Sequence, residues 1–195
     1  MTVVFLDRDG VINRDRDDYV KNIGEFVFLP GVLEGLAKLK KAGIAAAVVS
    51  NQAGVGRGLI GPADLESINR RMLAEVVEHG GEISGSYYCT HRRDEGCGCR
   101  KPETGLFREA VADLDIELSD SYLIGDSASD IEAGQKAGCR TILVLTGKSS
   151  ADEAAAWSSK PTHIASDFQA AVDWILAVRR AERQVQKLLR PHPSS

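Results

Sequence analysis

The sequence predicts an α/β fold, a Rossmann-like parallel sheet with helices on both faces. Three observations predict it. Short apolar runs that read as buried strands alternate with amphipathic stretches along nearly the whole chain. Repeated β–α units of this length are what right-handed crossovers between parallel strands require. Finally, three of the apolar runs end in polar residues: Asp7 and Asp9, Ser50 and Asn51, and Asp126 and Asp130. A parallel sheet brings such ends to one crevice at its carboxyl edge.

The elements follow in order. Val3–Leu6 is a continuous apolar run, hence a strand buried on both faces. The polar stretch from Asn13 to Glu25 is too long for an ordinary connection and reads as a functional loop. Pro30-Gly31 opens a helix with Leu33, Leu36, Ala37 and Leu39 on its apolar face and Gly43 past its end. Ile44–Val49 is the second strand. A glycine-rich turn (Gly54, Gly56, Gly58, Gly61) leads to a helix spaced by Leu65, Ile68, Met72 and Val76, stopped by Gly80-Gly81. Gly85–Cys89 is a short strand followed by a cysteine-rich loop. Thr104 is placed to cap a helix carrying Phe107, Ala110, Val111 and Leu114. Tyr122–Ile124 and Thr141–Leu145 are strands flanking a helix over Ala128–Ala137, and His163–Ala165 adds a last short strand.

The final helix, Asp167–Arg190, changes character midway. Phe168, Ala171, Val172, Ile175 and Leu176 face the core, whereas Arg179, Arg180, Arg183, Lys187 and Arg190 make the end basic, beside a thin apolar edge of Val185, Leu188 and Leu189. The chain therefore divides into a domain over 1–177 and a polar helical tail over 178–195, with Pro191–Ser195 expected to be disordered. The 195 residues suffice for one domain with a large core. A net charge of −4 gives no reason to expect nucleic acid or an anionic membrane as the main partner. No apolar run reaches the ~20 residues of a membrane span, and no basic leader precedes the first strand. A cytoplasmic monomer acting on a small soluble molecule is expected.

Two constellations carry chemistry. Alternate residues of an extended segment point the same way, so Asp7 and Asp9 converge at the end of the first strand. Two converging carboxylates repel unless a cation lies between them, an arrangement suited to Mg²⁺ presenting a phosphorylated substrate. The second constellation is Cys89-Thr90-His91, five residues, then Cys97-Gly98-Cys99. Three thiolates and an imidazole complete a tetrahedral Zn²⁺ set with no open position, hence a structural site in a loop over 89–101. The competing reading is a Cys97–Cys99 disulfide, disfavoured by its small strained ring and by a reducing compartment. Cys139 reads as a small buried hydrophobe.

In order along the chain, Asp7-Arg8-Asp9-Gly10, Val49-Ser50-Asn51, Arg100-Lys101-Pro102 and Gly125-Asp126-Ser127-Ala128-Ser129-Asp130 resemble the four motifs of the haloacid-dehalogenase superfamily of aspartate-dependent phosphatases. The resemblance extends to about Ile175. It implies that Asp7 is the nucleophile, forming an aspartyl-phosphate, and that Asp9 is the general acid and base. It further implies Mg²⁺ held by Asp7, the backbone carbonyl of Asp9 and Asp126, with Asp130 supporting them. The Ser50 hydroxyl and the Asn51 backbone amide would bind the phosphoryl oxygens, and Lys101 would offset their charge.

Within that superfamily the zinc loop resembles two groups, the phosphatases of D-glycero-D-manno-heptose 1,7-bisphosphate and of histidinol phosphate. The Tyr19-Val20-Lys21 loop, the Phe26–Gly31 segment and Asn51–Gly58 are similar to the first. The five-residue gap between His91 and Cys97 is similar to the second, and Ser127 stands where several heptose enzymes carry lysine. A sugar bisphosphate needs cations for its second phosphate, which Lys21, Arg57 and Arg100 could supply. No long insertion follows Asp9 or separates the second and third motifs, so no large cap domain is expected. A reading from another class is a zinc-stabilised binding module that keeps the fold without the reaction; its mark would be loss of a motif acid or of the lysine, and all are present.

Overall fold

The computed structural model describes residues 1–189, so the expected helix end at Arg190 and the expected disorder of Pro191–Ser195 lie outside the described residues. Six parallel strands form one sheet: β1 (Val3–Leu6), β2 (Ala45–Asn51), β3 (Gly85–Cys89), β4 (Tyr122–Gly125), β5 (Arg140–Val144) and β6 (His163–Ala165). Their order is β3-β2-β1-β4-β5-β6. The chain winds outward from β1 to one side and then from β4 to the other. The carboxyl ends of β1 and β4 thus flank the point where the winding reverses, where such sheets open a ligand crevice.

Among the described residues seven α-helices connect and flank the strands: α1 (Val32–Lys41), α2 (Ala53–Gly56), α3 (Pro62–Glu78), α4 (Gly105–Leu114), α5 (Ala128–Ala137), α6 (Ala151–Ala156) and α7 (Phe168–Leu189). Strand alternation sorts the core into two layers. Val4, Leu6, Ala46, Val48 and Ile124 face α1, α3 and α7, meeting Leu36, Met72, Phe168 and Val172. Val3, Phe5, Ala47, Val49 and Leu123 face α4 and α5, meeting Leu106, Phe107 and Ala133. The Phe5 and Phe107 rings pack edge to face at 4.9 Å.

Several elements differ in detail from the sequence expectation. β2 runs two residues further than expected, because Ser50 and Asn51 continue the ladder onto Tyr88 and Cys89. Helix α1 buries Val32, Gly35, Leu36 and Leu39, while Leu33 and Ala37 sit at the edge of that face. Thr104 stands at the start of α4 but makes no side-chain cap; its hydroxyl instead accepts from Arg108 (3.3 Å). Helix α6 was not anticipated, although Ser150 and Glu153 form a capping box that the sequence spells out. Helix α7 runs without interruption past Val178, where Arg179 pairs with Asp120 and Glu182 with Arg140. Among the described residues no helix is long and apolar enough to cross a membrane.

Candidate active site

Three acids meet at the β1–β4 junction. The Asp7 N–H donates to Ile124 O (3.0 Å), fixing this residue between the two strands. Asp126 directly follows β4, and Asp130 lies in the first turn of α5. One carboxylate oxygen from each lies within 4.8 Å of the other two. Burial, then the charges of Asp7 and Asp130, push the Asp126 carboxyl up to about 8. Burial also raises the Asp7 carboxyl, outweighing the pull of Lys101. Such mutual repulsion among hard oxygens fits a divalent cation of the Mg²⁺ type, which favours the charged form of each acid. Asp7 Oδ1 is buried and meets the Lys101 ammonium at 2.9 Å, which leaves its second lone pair for a cation. The cradle is tight: a Cβ on Gly147 would fall 2.0 Å from Asp126 Oδ2, and one on Gly10 (φ +81°) 2.4 Å from it.

Lys101 is 2% exposed, with Nζ 2.6 Å from Asp130 Oδ1, 2.9 Å from Asp7 Oδ1 and 2.7 Å from Val49 O. Burial alone would lower its pKa, but Asp130 and Asp7 hold the ammonium above its ordinary value. Its backbone is clamped by the Asn51 side chain: Lys101 N donates to Asn51 Oδ1 (3.0 Å), and Asn51 Nδ2 donates to Lys101 O (3.1 Å). The second and third motifs are thereby joined directly. Asp130 Oδ2 accepts from the Ser127 hydroxyl (2.6 Å) and N–H (3.1 Å), so both of its oxygens are engaged by the protein. The buried Ser50 hydroxyl favours the charged form of the Asp7 carboxyl.

Asp9 occupies a different environment from Asp7. The fully buried Arg8 guanidinium lies 3.0 Å from Asp9 Oδ1, Asn13 Nδ2 donates to the same oxygen (2.9 Å) and Gln52 Nε2 to Oδ2 (2.8 Å). Burial pushes the Asp9 carboxyl up, but Arg8 and the two amides together outweigh it and hold it below the usual range. Adjacent acids of one motif are thus driven in opposite directions, the condition for unequal roles.

Cys89, His91, Cys97 and Cys99 also converge. Their sulfurs are 3.1–3.6 Å apart, and His91 Nδ1 lies 3.3 Å from Cys99 Sγ and 3.7 Å from Cys89 Sγ. A tetrahedral Zn–S distance of ~2.3 Å spaces sulfurs by roughly 3.8 Å, so the set fits the ion. Cys97 and Cys99 are free thiols, which removes the disulfide reading. The loop packs on α4 at Gly105, where a Cβ would meet Gly98 O at 2.5 Å, and it delivers Arg100 and Lys101 to the crevice.

A family model described as HAD-hydrolase-like matches residues 98–171. The D-glycero-beta-D-manno-heptose-1,7-bisphosphate 7-phosphatase of Pseudomonas putida is 45% identical over 148 residues, covering 76% of this chain and 85% of that protein. That of Bordetella bronchiseptica is 35% identical over 176 residues, covering 90% and 98%. The chain belongs to the haloacid-dehalogenase-like hydrolases. The crystal structure of D,D-heptose 1,7-bisphosphate phosphatase from B. bronchiseptica, complexed with magnesium and phosphate, superposes with a TM-score of 0.84 at 34% identity, covering 91% of this chain and 99% of that one. The corresponding enzyme from Burkholderia thailandensis gives 0.69 at 31% identity, with coverage of 91% and 99%.

In this HAD-like hydrolase the acids open into a crevice of about 330 Å³ whose walls include Asp7, Asp9, Asn51, Lys101, Asp126 and Asp130. It adjoins a second hollow of about 660 Å³ lined by Tyr19, Arg57, Arg92, Arg93 and Arg100. Arg57 donates to the Tyr19 hydroxyl (2.9 Å), and Arg100 carries a buried Nη1 with no hydrogen-bond partner. Lys21 does not join them: its ammonium is taken up by Asp18 (2.5 Å) and Glu25 (3.4 Å) within its own loop. The cation missed in its place is Arg93, which lines both hollows from the zinc loop. Arg8, Asn13 and Gln52 were missed as well. A charged residue at the end of an otherwise apolar strand was the one available signal for Arg8.

Proposed function

We propose that this chain is a Mg²⁺-dependent phosphatase removing the 7-phosphate of D-glycero-D-manno-heptose 1,7-bisphosphate on the way to nucleotide-activated heptose. The observation that carries the reading is the buried junction of Asp7, Lys101, Asp126 and Asp130 at the switch point of the sheet. It gathers the Asp7 carboxylate, the Lys101 ammonium and two further carboxylates in one crevice, which supports a nucleophile, a fixed cation and a divalent-metal cradle acting together. Phosphoryl transfer asks for positioning and charge neutralisation, and that junction offers both.

Asp7 attacks phosphorus and the bond to the leaving oxygen breaks, with Asp9 giving that oxygen its proton. Water then attacks the aspartyl-phosphate, Asp9 takes a proton from it, and Asp7 and inorganic phosphate are regenerated. The entering phosphate brings negative charge beside Asp9 and so favours the protonated form the first step needs. The Ser50 hydroxyl and the Asn51 N–H hold the phosphoryl oxygens, and Lys101 offsets charge as it shifts from nucleophile to phosphoryl group. Asp7, the Asp9 carbonyl and Asp126 would hold Mg²⁺, which when bound supplies further neutralisation of the phosphoryl group. Cys89, His91, Cys97 and Cys99 would hold Zn²⁺ and keep Arg100 and Lys101 aimed.

Substrate choice rests on the second hollow. Arg57, Arg93 and Arg100 suit a second phosphate. Histidinol phosphate would instead bring an ammonium group to the same arginines, a like-charge mismatch. Phosphate release from the heptose bisphosphate anomers and from histidinol phosphate, assayed side by side with Mg²⁺, tests the reading. Turnover of histidinol phosphate alone would overturn the substrate assignment.

A further inference from the structure

Gln52 is buried one residue beyond Asn51, 1% exposed, and no step above requires it. Its backbone N–H donates to Cys89 O (2.7 Å), so the end of β3 fixes its place. Its side-chain Nε2 lies 2.8 Å from Asp9 Oδ2 and 3.1 Å from Ser50 Oγ. An amide nitrogen has two N–H groups, and here each has an acceptor. Ser50 in turn favours the charged form of Asp7. One buried amide thereby links the acid–base carboxylate to the hydroxyl that steadies the nucleophile.

The two oxygens of Asp9 are not equivalent. Oδ1 faces Arg8 Nε (3.3 Å), Arg8 Nη2 (3.0 Å) and Asn13 Nδ2 (2.9 Å), three donors for two lone pairs. Oδ2 faces Gln52 Nε2 and shares Arg8 Nη2 (3.0 Å) with Oδ1. Oδ2 is therefore the less crowded oxygen, and Gln52 is the donor particular to it. We infer that Gln52 is a positioning residue. It holds Asp9 Oδ2 at a set distance from Ser50, so that a phosphate seated on Ser50 presents its leaving oxygen to the proton. The inference rests on the assignment of Asp9 as general acid.

The test compares leaving groups in Q52M, which keeps the length and removes both N–H donors. p-Nitrophenyl phosphate expels a phenolate that needs no proton, whereas glucose 6-phosphate expels an alkoxide that does. The ratio kcat/KM covers steps only through departure of the alcohol, so the later base role does not enter it. General acid catalysis contributes on the order of 100-fold or more. The expected result is a ~100-fold fall in kcat/KM on glucose 6-phosphate with less than ~3-fold change on the aryl ester. Melting curves report folding, and Q52L, which removes both donors without adding a charge, is read the same way if Q52M unfolds. Parallel loss on both substrates, or no loss on either, overturns the inference while leaving the phosphatase reading intact. Failure of the wild-type protein to release phosphate from these esters and from the heptose bisphosphate alike removes the phosphatase reading and this inference with it.

Discussion

Lys101→Met removes one positive charge from the centre of the acid cluster while nearly preserving side-chain length. The Lys101 ammonium lies 2.6 Å from Asp130 and 2.9 Å from Asp7, and its side chain is 1% exposed. Taking one partner from a buried ion pair costs ~3–5 kcal/mol, because the remaining charges lie where water cannot reach them. In a chain of this size 1 kcal/mol shifts the melting temperature by ~2–4 °C, which places the expected loss at roughly 6–20 °C. The acids can escape part of that cost by binding protons. Asp130 is held below its ordinary range, burial being outweighed by Lys101 and Ser127, so in the wild-type protein it stabilises the fold above its unfolded pKa. Without Lys101 that contribution disappears, and Asp7 and Asp130 both favour their neutral forms. The gap between wild type and variant should therefore be small near pH 5 and widen towards pH 8. Melting curves across that range in a chelating buffer measure it. A gap under ~2 °C at pH 8, or one independent of pH, would refute the reasoning. Phosphate release should also fall by ~10²–10³, the usual cost of losing one preorganised stabilising group.

Asp7→Asn should abolish turnover yet raise the melting temperature of the chelated protein, since it removes one of three crowded negative charges; differential scanning calorimetry measures the second effect. Asp126 titrates in the folded protein at about 8, above its value of 3.8 in the open chain. The folded state then binds the extra proton between those values, so chelated wild-type protein should lose stability as pH rises from about 4 to 8. Saturating Mg²⁺ should flatten that slope, as thermal shifts at both ends of the range will report. Cys97→Ser should release zinc, read by metal analysis, and lower activity at least ~10-fold through disorder around Lys101 while circular dichroism keeps the α/β signature. Arg93→Ala should raise KM for a sugar bisphosphate by ~10-fold, about the worth of one charge-assisted hydrogen bond, and leave KM for p-nitrophenyl phosphate unchanged in steady-state assays.

How much of this was legible in the chain follows from the range of the interactions. Strand and helix period are local properties, so Val3–Leu6 and the helix over Ala128–Ala137 could be placed from their own residues. Parallel crossovers then send every strand end to one edge, so Asp7, Ser50 and Asp126 could be assigned to one crevice before any coordinates, whereas Lys101, in a loop, rested on the resemblance to the superfamily. The Cys89–Cys99 cluster was equally legible, because its ligands are close along the chain and few chemistries want three thiols and an imidazole. Helix α6 is also a local property, marked by the Ser150–Glu153 capping box.

What the tertiary structure alone decided is which neighbour each polar side chain meets. Gln52 meets Asp9 across 43 residues, and Asn51 clamps Lys101 across 50. No periodicity encodes those separations. Lys21 looked as available as Arg93 in sequence, yet its own loop folds Asp18 and Glu25 onto it, while the zinc loop carries Arg93 to the mouth of the crevice. The residue types and their order implied the reaction class through their resemblance to the superfamily's four motifs, and strand ends in a parallel sheet gathered the acids in one crevice. The pairing of charges and amides around Asp9, and the choice of arginines for a second phosphate, depended on distances that only the packed chain sets.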